Sequence, residues 1–265
     1  MSRIIHLSSR ALLTLRGPDS VSLLQNLVTN DMRRLGDQKV MASFLLNEKG
    51  RIVEDLLIYR HDDGALVECS AKNQKDFKKL LEKYRLRKQV EIEDSPDSVY
   101  YTSEPTKTPD PRTPALGYRL LGKHESDGKL DEYKALRYSV GVAEGKSELG
   151  DLLPFHANGD VLHCVSLEKG CYIGQELTAR TAHTGVIRRR IIPFTCNEEA
   201  APRGEVFDSE KRKVGETIAS VGGHGLALIQ LNSTGRKLFV GETSIVPFCP
   251  AWMPPKLYSA APSPK

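Results

Sequence analysis

Long apolar runs are missing from this chain. Its apolar stretches, such as residues 226–229, are strand-sized, well short of the ~18 uninterrupted apolar residues that a membrane-spanning helix requires, so no span is expected. Cysteine is scarce: Cys69, Cys164, Cys171, Cys196 and Cys249 lie far apart, with no C-x-x-C pair. An odd number at such spacing argues against a secreted disulfide framework and for free thiols in a reducing compartment. A strong charge of one sign is missing too. The net charge is +4, with basic residues interspersed among acidic ones, which gives no reason to expect nucleic acid. No internal repeat is visible.

What is present is ordinary globular material. The 265 residues, 39% apolar and 27% charged, suffice for one large domain or two smaller ones. The first 18 residues contain Arg3, Arg10 and Arg16, several serines and no Asp or Glu, the composition of a transit peptide. Residues 11–16 nevertheless read as a strand leading into a helix, so any removable peptide is expected to be very short or already trimmed from this sequence. Gly17-Pro18-Asp19-Ser20 supplies turn and cap chemistry for that helix, with Val21, Leu24, Leu27 and Val28 on one face. Strands are expected at 40–46 and 52–59 around the turn Asn47-Glu48-Lys49-Gly50, and at 65–69. A helix over 73–84 carries Phe77, Leu80, Leu81 and Tyr84 at helical spacing, and further strands follow at 89–92 and 98–102. This pattern predicts an α+β sheet with helices on one face.

Pro105, Pro109, Pro111 and Pro114 mark an exposed loop, followed by a strand over 116–121 and a helix over 130–138. Six short β-rich runs between 190 and 248 predict a small barrel or sandwich. The tail is proline-rich.

The most distinctive segment is Lys169-Gly170-Cys171-Tyr172-Ile173-Gly174-Gln175-Glu176, continuing through Arg180 to Gly185-Val186-Ile187-Arg188-Arg189-Arg190. A short helix is expected to start near Gln175. Its amides and the Lys169 ammonium would both favour a Cys171 thiolate, the form an iron ligand must take; a buried, inert cysteine beside a tight turn is the alternative. Gly170 and Gly174 fit positions of positive φ or close backbone approach. Gln175 and Glu176 fit either a helix cap or a ligand contact. Cys164, His156, His163 and His183 share the region without zinc-type spacing.

This segment resembles the signature of the YgfZ-type proteins, and within them the mitochondrial branch. Supporting matches include Arg16-Gly17-Pro18-Asp19, residues 27–31, residues 47–56 and residues 84–90, so the likeness covers about residues 10–250. The YgfZ type is related to the T-protein of glycine cleavage, a tetrahydrofolate-dependent aminomethyltransferase. The resemblance implies an α+β folate-binding aminomethyltransferase-like body over residues 1–185, a small C-terminal β-barrel over 186–258, and a tail over 259–265. It implies a role in maturing [4Fe–4S] proteins in the mitochondrial matrix. The implied partner is an A-type iron–sulfur carrier that shares a [2Fe–2S] cluster with this chain, a monomer when alone and a heterodimer with the carrier. Cys171 is then the candidate cluster ligand, supported by Lys169, Gly170, Tyr172, Gly174, Gln175, Glu176 and Arg180.

The resemblance also points to a folate-like cavity with Asn47, Glu54, Asp55, Tyr84, Arg87 and Arg188 as candidate lining residues, which leaves tetrahydrofolate binding open. Glu54 stands where the T-protein pattern has Asp. The extra methylene shifts a carboxylate by more than about 1 Å, which argues against aminomethyl transfer. On its own residues Glu54 fits the exposed face of a strand equally well. His156 departs from the expected Glu. Two alternatives to the assembly role remain, a tetrahydrofolate-dependent one-carbon transferase and an RNA-binding protein. The run Arg188-Arg189-Arg190 fits either an anion contact or a solvated edge strand.

Overall fold

The computed structural model describes residues 3–106 and 108–258; the expected tail at 259–265 lies outside them. Its strands are β1 (Ile4–His6), β2 (Arg10–Arg16), β3 (Val40–Leu46), β4 (Ile52–His61), β5 (Gly64–Ser70), β6 (Glu91–Asp94), β7 (Ser98–Thr102) and β8 (Tyr118–Gly122), followed by β9 (Arg189–Cys196), β10 (Glu205–Asp208), β11 (Lys213–Val221), β12 (His224–Gln230), β13 (Leu238–Val240) and β14 (Thr243–Pro247). The helices are α1 (Ser20–Leu27), α2 (Gln74–Arg85), α3 (Leu130–Val140), α4 (Lys146–Leu149), α5 (Gln175–Thr184) and α6 (Pro255–Tyr258).

Strand alternation sorts the side chains into layers. The first sheet runs β3-β4-β5-β2-β6 with antiparallel neighbours. Leu13, Leu15, Met41, Leu45, Leu56, Ile58 and Val67 point from one face to Leu23, Leu24 and Leu27 of α1 and Phe77 and Leu81 of α2. This is the helix-covered face the sequence predicts. The opposite face presents Leu12, Val40, Ala42, Phe44, Leu57 and Tyr59 to a second core with Val99, Leu116, Tyr133 and Tyr138. A three-stranded sheet, β1-β7-β8, contributes to that side.

The six late strands close into a barrel in the order β10-β11-β12-β9-β14-β13, with β10 also paired to β13. Ile192, Phe194, Val206, Ala227, Ile229, Leu238 and Ile245 fill it. Their neighbours Ile191 and Leu226 turn outward into the main core, so β9 and β12 seat the barrel on the body.

Three expectations need correction. The segment with transit-peptide composition is part of the fold: β1 pairs with β7, β2 lies inside the first sheet, and Arg10 is buried. The proline-rich loop is not simply exposed, because it carries buried Asp110, Arg112 and Thr113. Arg190 is not solvated: β9 pairs with β12 over residues 189–195 and with β14 at 194–196, and Arg190 turns inward from it. Its side chain is buried and bonded to Asp160, Asn158 and the carbonyl of Phe155.

Candidate functional site

The Cys171 loop is held on both flanks while its thiol residue stays outside. Cys171 is exposed, whereas Cys69 and Cys164 are buried and Cys196 and Cys249 half-buried. On the N-terminal flank, the Lys169 ammonium reaches across the fold and donates to the carbonyl oxygens of Gln25 and Val28 at the end of α1. Cationic groups suit that position because the last carbonyls of a helix lack backbone partners and carry partial negative charge. The same ammonium lies 4.8 Å from the centre of the Tyr172 ring. Burial lowers its pKa from 10.5 to about 8, Asp31 opposing and Arg33 adding to the effect. The hydrogen bonds of Lys169 therefore anchor the loop to α1, a role the sequence did not disclose.

On the C-terminal flank, Tyr172 packs against the core that contains Phe44 and Tyr133, and Ile173 against the other, which contains Leu45 and Phe77. The loop thus straddles two cores. The side chain of Gln175 turns back to accept from the amide of Tyr172, 3.2 Å away. Gly174 precedes α5 with φ +76°, tight against the Asn47-Gly50 turn. Gly170 has open space around it and no positive φ. Glu176 and Arg180 form an exposed i,i+4 pair at 3.1 Å, with surface helix geometry and little energetic weight.

The six residues proposed for a folate-like cavity are not brought together. Glu54 and Asp55 are successive on β4 and face opposite sides of the sheet, as strand geometry requires. Glu54 is buried and accepts from the Ser70 amide and the Asn73 side chain, so the exposed alternative for it is wrong. Burial and then the neighbouring Asp55 raise its pKa. Asp55 accepts from Arg10 and from the Gly145 amide, and borders a hollow of about 10 Å³, room for a single water at most. Asn47 and Tyr84 line a separate cleft of about 320 Å³ with Leu45, Val53, Leu80 and Ile173. Arg87 and Arg188 are exposed, beyond α2 and before β9.

Sequence reasoning missed a buried ionic network under the first sheet. Arg10 bonds Asp55 and Glu68; Arg112 bonds Asp110 at 2.7 Å and Glu144 at 2.8 Å; Arg119 reaches Glu144 at 3.1 Å. Arg137 pairs with Glu148 at 2.8 Å, and Tyr133 and Tyr138 donate to Glu144 and Glu148. Burial alone would raise the Glu144 carboxyl, but Arg112, Arg10, Arg119 and Arg137 outweigh it and hold the group well below its usual range. Charged residues are mostly exposed, which hides such a network in a sequence. Strand parity was the available signal: Arg10 shares a face with buried Leu12, and Arg119 with Leu121.

His156 is half-buried, and its pKa falls from 6.5 to about 4 through burial and the charges of Arg189, Arg51 and Arg190. Cys164 is buried, its thiol pushed up to about 12 by burial. Among the described residues, no group of three or more His, Cys, Asp or Glu side chains is placed to hold a metal ion. A second cleft of about 880 Å³, bordered by Asn30, Lys39, Asp160, His163 and Glu168, adjoins the segment leading to Lys169.

Fold and site together define an aminomethyltransferase-like protein whose one exposed cysteine sits on a constrained loop. Residues 2–103 match the GCVT N-terminal domain, and residues 188–255 match the CAF17 C-terminal beta-barrel domain. In shape the chain is similar to the glycine cleavage system aminomethyltransferase T of Bartonella henselae, with a TM-score of 0.76 and 15% identity over 93% of this chain and 84% of that one; that likeness concerns the fold alone. In sequence it is similar to "Iron-sulfur cluster assembly factor IBA57, mitochondrial" of Homo sapiens, 31% identical over 94% of this chain and 84% of the relative. It is also similar to the homologue of Pyricularia oryzae, 32% identical over 85% of this chain and 71% of the relative. The chain belongs to the IBA57 family of mitochondrial iron–sulfur cluster assembly factors.

Proposed function

We propose that this chain acts with an A-type iron–sulfur carrier in the mitochondrial matrix, in the maturation of [4Fe–4S] proteins. Cys171 supplies one thiolate to a [2Fe–2S] cluster shared with the carrier, and the carrier supplies the remaining ligands. The observation that carries this reading is the exposure of Cys171 on a loop fixed by Lys169, Tyr172 and Ile173. A shared cluster needs a ligand that a partner can reach and that does not wander. Iron–sulfur clusters are held mainly by cysteine thiolates, generally four, and one exposed cysteine leaves the others to a partner. Glu54 and Asp55 already bond side chains and amides of this chain, which favours the assembly role over aminomethyl transfer.

Anaerobic titration with cluster-loaded A-type carrier tests the proposal. The native chain is expected to form a coloured complex of one chain with one carrier. Cys171→Ser is expected to lose the cluster absorbance of that complex. Unchanged absorbance and complex formation with Cys171→Ser would overturn it.

A further inference from the structure

The surplus positive charge of this chain is concentrated on and just beyond α2, whose Leu80 and Tyr84 share a cleft with Ile173, two residues from Cys171. Residues 72–88 hold eight Lys and Arg against Asp76 and Glu82, a surplus of six, while the whole chain carries only +4. The rest of the molecule is therefore slightly acidic. Lys75, Lys79 and Lys83 follow one another at i,i+4 on the exposed side of α2, and Arg87 lies just beyond its end. Among the described residues none of the four forms an ion pair; Lys83 lies 5.6 Å from the Tyr84 ring centre. Like charges at this spacing weaken a helix slightly, so local helix stability does not account for the stripe.

A flank of the same helix carries a depression suited to a side chain. Leu80 and Tyr84 of α2 form one wall of the 320 Å³ cleft, whose other residues include Leu45, Val53 and Ile173. Ile173 is two residues from Cys171, which places the cysteine backbone within roughly 7 Å of it. Leu86, 83% exposed, adds apolar surface beyond the end of α2. A protein that brings a cluster to Cys171 therefore comes within side-chain reach of this cleft.

We propose that α2, from Lys75 to Arg87, together with the cleft beside Ile173, is the docking surface for the cluster carrier. The carrier presents an acidic patch to the lysine stripe and one apolar side chain to the cleft. This assignment rests on the carrier reading given above. Complementary charge speeds encounter and selects the partner, while a buried apolar anchor slows dissociation. A protein fits both features. The cleft mixes apolar Leu80 and Ile173 with Asn47, Glu48 and Lys49, and its carboxylate suits a protein side chain better than a nucleic-acid phosphate. Phe77 and Leu81 of α2 are buried in the core, and Leu86 alone among residues 72–88 is an exposed large apolar side chain, too little for insertion into a membrane surface.

The test compares binding of cluster-loaded A-type carrier to the native chain, to K75E/K79E/K83E, to K83E/R87E and to Cys171→Ser. Circular dichroism checks that each variant is folded, and the two charge variants share only one substitution. The charge reversals are expected to weaken binding about tenfold or more near 0.15 M salt, where the screening length is about 8 Å, and native binding is expected to weaken as salt rises. Cys171→Ser is expected to lose the cluster signal with a smaller loss of docking. Native-like affinity of both charge variants overturns the surface alone, the carrier reading surviving if Cys171→Ser still loses the cluster. Absence of carrier binding by the native chain overturns both. Binding to phosphatidylglycerol vesicles or to poly(U) that the reversals abolish, with carrier binding intact, overturns the surface in favour of that ligand.

Discussion

The α-carbon of Gly174 is packed against the carbonyl oxygen of Asn47, with φ at +76°. The start of α5 is thereby locked to the β3–β4 turn, and the Cys171 loop inherits its position from that lock. A methyl group at Gly174 would overlap the Asn47 oxygen and come within 3.0 Å of the Gly50 Cα.

Gly174→Ala is expected to destabilise the fold by about 2 kcal/mol or more, through a strained backbone together with a displaced turn. Gly170→Ala, with open space and no positive φ, is expected to stay within about 0.5 kcal/mol of the native chain. Urea unfolding of the two variants checks the contrast, which a loop free of tertiary constraint would not show.

Lys169→Met removes both donations to the end of α1 and keeps most of the side-chain volume. Hydrogen bonds from a charged donor contribute about 1.5–3 kcal/mol each when partly buried, and water can replace part of that at this half-buried site. A loss of about 1–3 kcal/mol is expected. Hydrogen exchange should show the amides of residues 169–173 opening more readily than in the native chain.

Glu144→Ala leaves the guanidinium groups of Arg112 and Arg119 and the Tyr133 hydroxyl without their shared acceptor. Breaking a buried ion pair on one side costs about 3–5 kcal/mol, a large share of the 5–15 kcal/mol that typically holds a domain together. The variant is expected to unfold at much lower urea concentration, and a midpoint equal to the native one would show the network to be energetically idle.

His156 ties stability to pH. In the folded chain its pKa is depressed to about 4 from 6.5, so between these values the unfolded chain binds more protons than the folded one. Stability from this group is complete above about 6.5 and is lost as pH falls towards 4. His156→Gln is expected to flatten the melting-temperature profile in that window and leave the profile above pH 7 unchanged in slope. Parallel profiles of the two proteins would contradict the assignment.

Much of the local structure was legible before any coordinates. The turn at 47–50, the helix-covered sheet face, the six late strands and the helix beginning at Gln175 all follow from periods of two and 3.6 residues and from turn chemistry, whereas closure of those strands into a barrel was implied only by the family resemblance. The motif around Cys171 was legible for the same reason, as a contiguous run of uncommon residues. Less visible was the direction of single side chains. Glu54 and Asp55 read as a pair along the chain, and β4 sends them to opposite faces.

By itself, then, the sequence determined which segments are strands and helices, where the turns fall, and that Cys171 stands just before a helix that begins at Gln175, because those properties depend on neighbours within a few residues. Only the tertiary structure decided that Lys169 anchors to a carbonyl 141 residues earlier, that Arg10, Arg112, Arg119 and Arg137 are buried among carboxylates, and that Leu80 and Tyr84 of α2 share a cleft with Ile173, two residues from Cys171. Charge burial and pairing depend on which distant surfaces meet, and no local period encodes that.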